Sequence, residues 1–108
     1  MRTETFVTSL PLDEIERRLS GFENFDLKEK TSEELTINVG SGLKYRFFGV
    51  YTNPQYQAPI EIAASDNGDG TATVELSARA QGVLNSATNQ QFFERGYGEI
   101  REVLEGRR

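Results

Sequence analysis

The spacing of apolar residues predicts a strand followed by a helix in the first part of the chain. Residues 3–8 are rich in β-branched and aromatic residues, which favours a β-strand. The next apolar residues recur every three or four positions, as on one face of a helix: Leu12, Ile15, Leu19 and Phe22. Ser9 offers a side-chain cap for this helix, and Pro11 suits its first turn.

From residue 25 onward, apolar residues alternate with polar ones, which predicts strands that have one covered face. The alternation occurs in five stretches, at residues 25–28, 35–39, 43–51, 60–62 and 71–79. The doublet Phe47-Phe48 interrupts it, as a β-bulge would. The acidic, glycine-containing run at 66–70 is typical of a hairpin. The stretch after that run alternates most cleanly, so we expect a central strand there, with Val74 and Leu76 buried.

A second helical pattern begins near residue 88 and extends to Glu105. Its apolar residues again lie on one side: Phe92, Phe93, Tyr97, Ile100, Val103 and Leu104. Strands grouped between two helices are typical of α+β proteins. We therefore expect residues 1–108 to form a single two-layer α+β domain of order β-α-β-β-β-β-β-α. Its sheet is expected to be antiparallel, with both helices packed on one face.

This element order resembles that of helix-grip domains, in which a long C-terminal helix lies across a curved antiparallel sheet. The resemblance implies one possible function, that of a carrier which holds a small apolar ligand between helix and sheet. The residues expected to line such a site are Tyr45, Phe47, Ile62, Phe92, Phe93 and Tyr97. The chain departs from the helix-grip pattern because one helix, where those domains usually have two, follows the first strand. That difference leaves less room for a cavity.

Composition excludes several kinds of chemistry. The 108 residues contain no histidine and no cysteine, so neither residue can serve as a base, a nucleophile or a metal ligand. The net charge of −5 disfavours a nucleic-acid partner, because phosphates need clustered Lys and Arg. Apolar runs are too short to span a bilayer, and the first residues lack the apolar segment of a signal peptide. We therefore expect no membrane partner and a cytoplasmic location.

Carboxylates are the remaining candidates for a metal site or for acid-base catalysis. The run at 66–70 lacks the ligand spacing of a calcium loop, because glycines stand at its third and fifth positions. Glu33 and Glu34 neighbour a turn, where solvent covers the charge. Glu61 and Glu75 fall on outward positions of adjacent strands, where cross-strand ion pairs are the favoured interpretation. We expect no metal, no cofactor and no enzymatic activity.

An aromatic group between residues 45 and 56 is the most suggestive feature for function. It consists of Tyr45, Phe47, Phe48, Tyr51 and Tyr56, and it ends in a loop that contains two prolines. Aromatic side chains are common anchors of protein interfaces, and loops often carry binding residues. One hypothesis is that Phe48, Tyr51 and Tyr56 form an interaction surface of a small non-catalytic binding domain, with another protein as partner. The carrier of a small apolar ligand is the alternative.

Overall fold

A computed structural model of the chain describes residues 3–40, 58–78 and 87–105, with side chains in the last range from residue 91 onward. Its elements are β1 (Glu4–Thr8), α1 (Leu12–Leu19), β2 (Asp26–Lys30), β3 (Glu34–Val39), β4 (Ile60–Asp66), β5 (Ala72–Ala78) and α2 (Ala87–Leu104). The predicted strand at 43–51, with its aromatic doublet, lies outside the described residues. The α+β class and the approximate order of elements are confirmed.

The five described strands form one antiparallel sheet in the order β1-β5-β4-β3-β2. The hairpin predicted at 66–70 connects β4 to β5, and these two strands pair from Ile60↔Ala78 to Asp66↔Ala72. Strand β1 pairs with β5, so the first and last described strands of the chain are neighbours. Strand β5 is therefore an interior strand, as its clean alternation predicted.

The core lies between one face of the sheet and the two helices. On β3 and β5, every second residue is buried on that face, and Val74 and Leu76 are completely buried. Helix α1 contributes one apolar stripe and α2 another, and both belong to the same cluster as the inward residues of the sheet: Leu12, Ile15, Leu19, Phe92, Phe93, Tyr97, Ile100 and Leu104. Both helices therefore pack on one face. Helix α2 runs unbroken through Gly96, which is buried, and Gly98, which is exposed.

The end of α2 is fixed to the rest of the fold by two long-range hydrogen bonds. The buried hydroxyl of Thr8 donates to the carbonyl oxygen of Leu104 at 2.5 Å. The guanidinium of Arg18 donates to the carbonyl oxygen of Val103 at 2.8 Å. Carbonyls in the last turn of a helix have no partner within the helix. The two bonds therefore supply that partner and join α2 to β1 and α1.

Helix α1 carries an ion-pair cluster on its partly exposed side. Glu14 accepts hydrogen bonds from Arg17, three residues later, and from Arg18 at 2.8 Å, four residues later. These bonds, with that from Arg17 contributing most, lower the pKa of Glu14 to about 2. The order, with the acid before the bases, also agrees with the helix dipole.

Two details of the sequence prediction are wrong. Ser9 does not cap α1, because Pro11 itself occupies the N-cap position and its carbonyl accepts the N–H groups of Glu14 and Ile15. Ser9 therefore stands two residues too early. Strand β2 does not bury one face, and Leu27 is 39% exposed. The reason is that β2 forms an edge of the sheet and its pairing with β3 is irregular between Leu27 and Glu29.

Candidate functional site

An open groove with a volume of about 810 Å³ lies at one end of the sheet. Three connections meet there: the link from β1 to α1, the turn from β2 to β3, and the loop from β4 to β5. They meet because β1, β2 and β4 all end on this side, and Thr8, Ala72 and Asp66 are neighbours across three strands. The groove is lined by Ser9, Leu10, Pro11, Leu12, Asp13, Lys30, Thr31, Ser32, Asp66, Gly68, Gly70, Thr71 and Ala72.

The β4–β5 loop forms a wall of the groove that its own hydrogen bonds hold in place. Asp66 accepts the N–H of Gly68 at 2.9 Å, and Asp69 accepts the N–H and the hydroxyl of Thr71 at 3.1 and 2.5 Å. The hydroxyl bond, followed by the amide bond, lowers the pKa of Asp69 below its ordinary value. Gly68 and Gly70 have φ angles of 82° and 89°, a region that favours glycine. The loop is therefore preorganised.

The β2–β3 turn forms a neighbouring wall and is bonded to that loop. The hydroxyl of Thr31 accepts the N–H groups of Glu33 and Glu34 at 3.2 and 2.9 Å, and the N–H of Thr31 donates to the carbonyl of Glu34 at 2.8 Å. The N–H of Asp66 donates to the carbonyl of Glu33 at 2.8 Å. Because of this last bond, the turn and the β4–β5 loop hold a fixed position relative to each other.

Ion pairs join the third wall of the groove, formed by the β1–α1 link and the start of α1, to the sheet. The ammonium of Lys30, on β2, lies 2.7 Å from a carboxylate oxygen of Glu16 and 3.0 Å from one of Asp13, both on α1. The hydrogen bonds to Glu16 and then to Asp13 raise the pKa of Lys30 above its ordinary value. The lining holds the carboxylates of Asp13 and Asp66. The ammonium of Lys30, which also belongs to the lining, is already shared between Asp13 and Glu16. The rim of the groove therefore carries excess negative charge.

The groove offers both polar and apolar surface to a ligand. Its polar atoms can form hydrogen bonds and hold a cation, and Leu10 and Pro11 add apolar surface. No group of three or more potential metal ligands occurs among the described residues. Of the carboxylates considered from the sequence, Glu61 and Glu75 do not stand directly opposite each other, because Glu61 faces Ser77 and Glu75 faces Ala63 on the outer side of the sheet.

The residues predicted from the sequence to form a site fall into two groups. Ile62, Phe92, Phe93 and Tyr97 belong to one buried cluster between helix and sheet, and the rings of Phe92 and Phe93 pack edge to face with their centroids 5.4 Å apart. The other five lie outside the described residues: Tyr45, Phe47, Phe48, Tyr51 and Tyr56. The interaction surface and the apolar carrier site both stay predictions.

The groove was not predicted from the sequence. Its loops contain turn-forming residues, and the hairpin at 66–70 was recognised, but nothing local indicates that three separate connections meet. Their proximity depends on the sheet order, in which β1 pairs with β5 and β4 lies between β3 and β5.

Over the stretches that the structure describes, no helix is both long and apolar enough to cross a bilayer. A scan against protein-family models and a search of curated proteins find no match to this chain.

Proposed function

We propose that this chain is a small non-catalytic binding domain that recognises a short basic segment of another protein. The proposal rests on the open groove at the end of the sheet. Its volume of about 810 Å³ lies within the range of roughly 300–1,000 Å³ that is usual for ligand sites. Binding residues are commonly found on loops that a rigid scaffold positions, and the three loops here have that arrangement.

Charge favours a basic occupant. Asp13 and Asp66 lie in the lining, and Asp69 stands in the same loop as Asp66. The whole chain carries −5, so a basic segment is also attracted from a distance. A lysine of the partner would compete with Lys30 for Asp13 and would find Asp66 on the opposite wall. The apolar surface of Leu10 and Pro11 suits the aliphatic part of such a side chain.

Preorganisation is the second support for binding. The walls are held by backbone and side-chain hydrogen bonds before any partner arrives, so little loop entropy has to be lost on association. A non-catalytic role agrees with a chain that lacks histidine and cysteine. A cytoplasmic location belongs to the same proposal and is compatible with the absence of cysteine.

Labelled hexapeptides and fluorescence polarisation test the proposal. A lysine-rich peptide is expected to bind the chain, and its glutamate-rich and Ser/Thr-rich counterparts are not. Asp13→Asn and Asp66→Asn are expected to weaken that binding several-fold, and added salt weakens it further because rim charges are screened. Glu75→Gln is the matched control: it removes one exposed carboxylate from the outer face of the sheet and leaves affinity unchanged.

Amide chemical-shift mapping with the same lysine-rich peptide locates the site. Shifts at residues 9–13, 31–33 and 66–71 support the groove. Shifts confined to residues 41–57 contradict it and favour the aromatic surface of Phe48, Tyr51 and Tyr56. Gly40 and Ala58, the described residues on either side of that segment, lie at the opposite end of the sheet from the groove. Equal binding of acidic and basic peptides also contradicts the proposal.

A further inference from the structure

The two edges of the sheet differ in how well they are protected against pairing with another chain. Edge strands are usually protected by charged residues, lysine in particular, and by bulges. Strand β2 has both: all of its residues except Leu27 are charged, and its pairing with β3 is irregular between Leu27 and Glu29. Its edge is therefore a poor template for another strand.

Strand β1, at the other edge, has little of this protection. It pairs with β5 in an unbroken register from Glu4↔Leu76 to Thr8↔Ala72. Glu4 is its one charged residue, and Arg101 of α2 holds that carboxylate at 3.3 Å. The same guanidinium lies over the ring of Phe6, 5.1 Å from its centroid, on the helix side of the sheet. No described residue covers the outer face of β1 in this way.

The outer face of β1 exposes apolar surface. Val7 is 58% exposed, more than Leu27, the other exposed large hydrophobic residue of the described chain. Thr5 lies on the same face and is also exposed. Their neighbours on β5 are Thr73 and Glu75, which do not bury Val7. A regular strand rich in β-branched residues, at an edge that no other described strand pairs with, is a site where another strand adds.

We propose that β1 pairs antiparallel with β1 of a second copy of this chain, so that the two sheets become one continuous sheet across a two-fold axis. The side chains of the two β1 strands complement each other when the two-fold axis passes between the two copies of Phe6. In that register Thr5 stands opposite Val7 of the second copy, and Glu4 stands opposite Thr8. Among the cross-strand pairs of the two β1 strands no like charges face each other, and each Val7 gains the methyl of a threonine as its cross-strand neighbour.

Sedimentation equilibrium of the full chain, over about 1 μM to 1 mM, tests the pairing. A reversible dimer is expected, and salt strengthens it because each copy carries −5. Val7→Lys is expected to raise the dissociation constant about tenfold or more, because it places a lysine on each strand of the shared edge. Leu27→Lys is the matched control, an exposed apolar residue on the opposite edge, and leaves association unchanged. Circular dichroism of both variants confirms that they are folded.

Disulfide trapping tests the register, because the natural chain has no cysteine and only introduced thiols can react. Thr5→Cys and Val7→Cys proteins are mixed under mild oxidation. The mixed disulfide is expected to exceed either self-disulfide, since positions 5 and 7 are cross-strand neighbours in the proposed pair. A monomer at every concentration, a dimer that Val7→Lys does not weaken, or cross-linking without preference for the mixed product overturns the proposal.

Discussion

We expect the hydrogen bonds of the Thr8 hydroxyl to contribute more to stability than the packing of the Thr8 side chain does. Thr8 is 4% exposed, and its hydroxyl donates to the carbonyl of Leu104 at 2.5 Å while it accepts the N–H of Leu10 at 3.3 Å. Thr8→Val keeps the shape and removes both bonds. A buried polar group without a partner costs about 1–3 kcal/mol, and the shorter bond to Leu104 accounts for most of the effect. We expect Thr8→Val to lower the free energy of unfolding by about 1–3 kcal/mol.

Urea denaturation measures this loss as a lower midpoint at unchanged slope. Thr8→Ser is the control, because it keeps the hydroxyl and loses one methyl, worth about 0.8 kcal/mol. Hydrogen exchange in the last turn of α2 and at the amide of Leu10 is expected to rise in the valine variant. If packing alone gave Thr8 its importance, Thr8→Val would be as stable as the natural chain and more stable than Thr8→Ser. That result would refute the reasoning.

Four further predictions concern the core, α2, pH and the aromatic segment. Leu76→Ala is expected to cost about 2–5 kcal/mol in urea denaturation, because the side chain is completely buried on an interior strand; a loss below about 1 kcal/mol contradicts this. Deleting residues 88–108 is expected to give an aggregated or molten chain, and a well-dispersed amide spectrum from it would show that α2 is dispensable. Since the pKa of Glu14 falls from 4.5 to about 2 on folding, its contribution to stability is present above pH 4.5 and is lost as the pH falls towards 2. Glu14→Gln is therefore expected to lower the melting temperature at pH 7 and to have little effect near pH 2, whereas an equal effect at both pH values contradicts it. Phe48→Ala and Tyr56→Ala are expected to barely change the urea midpoint, whereas losses of several kcal/mol would identify core residues. They weaken partner binding in a pull-down only if the aromatic segment, and not the groove, is the interaction surface.

Local sequence patterns correctly predicted the elements that bury one face along most of their length, namely β5, α1 and α2. The alternation in 71–79 predicts a strand with one buried face, and β5 buries Ala72, Val74 and Leu76 on that face. The glycine-rich run before it forms the expected hairpin, with Gly68 and Gly70 at positive φ. The apolar stripes of α1 and α2 are buried in the same way, since both face the one core cluster that they share with the sheet.

Features that depend on distant parts of the chain were not predicted. The alternation of Phe25 and Leu27 resembles that of an interior strand, but only the sheet order reveals that β2 is an edge and leaves Leu27 exposed. The groove is a stronger example, because Asp13, Lys30 and Asp66 lie at the ends of α1, β2 and β4, which come together only after the sheet has formed. Side-chain periodicity identifies the covered face of a strand and contains no information about which strand is its neighbour.

The pairing of β1 with β5 has a consequence for the order of folding. The β4–β5 hairpin and the β2–β3 pair can form from segments that are close in sequence, whereas β1 must wait until β5 is in place. Closing that long loop is entropically costly, so we expect β1 to dock late and to make few contacts in the transition state. Substitutions in β1 should therefore accelerate unfolding and leave the folding rate nearly unchanged, while substitutions in the β4–β5 hairpin slow folding. During synthesis β1 precedes the other described elements, and we expect it to enter the sheet last.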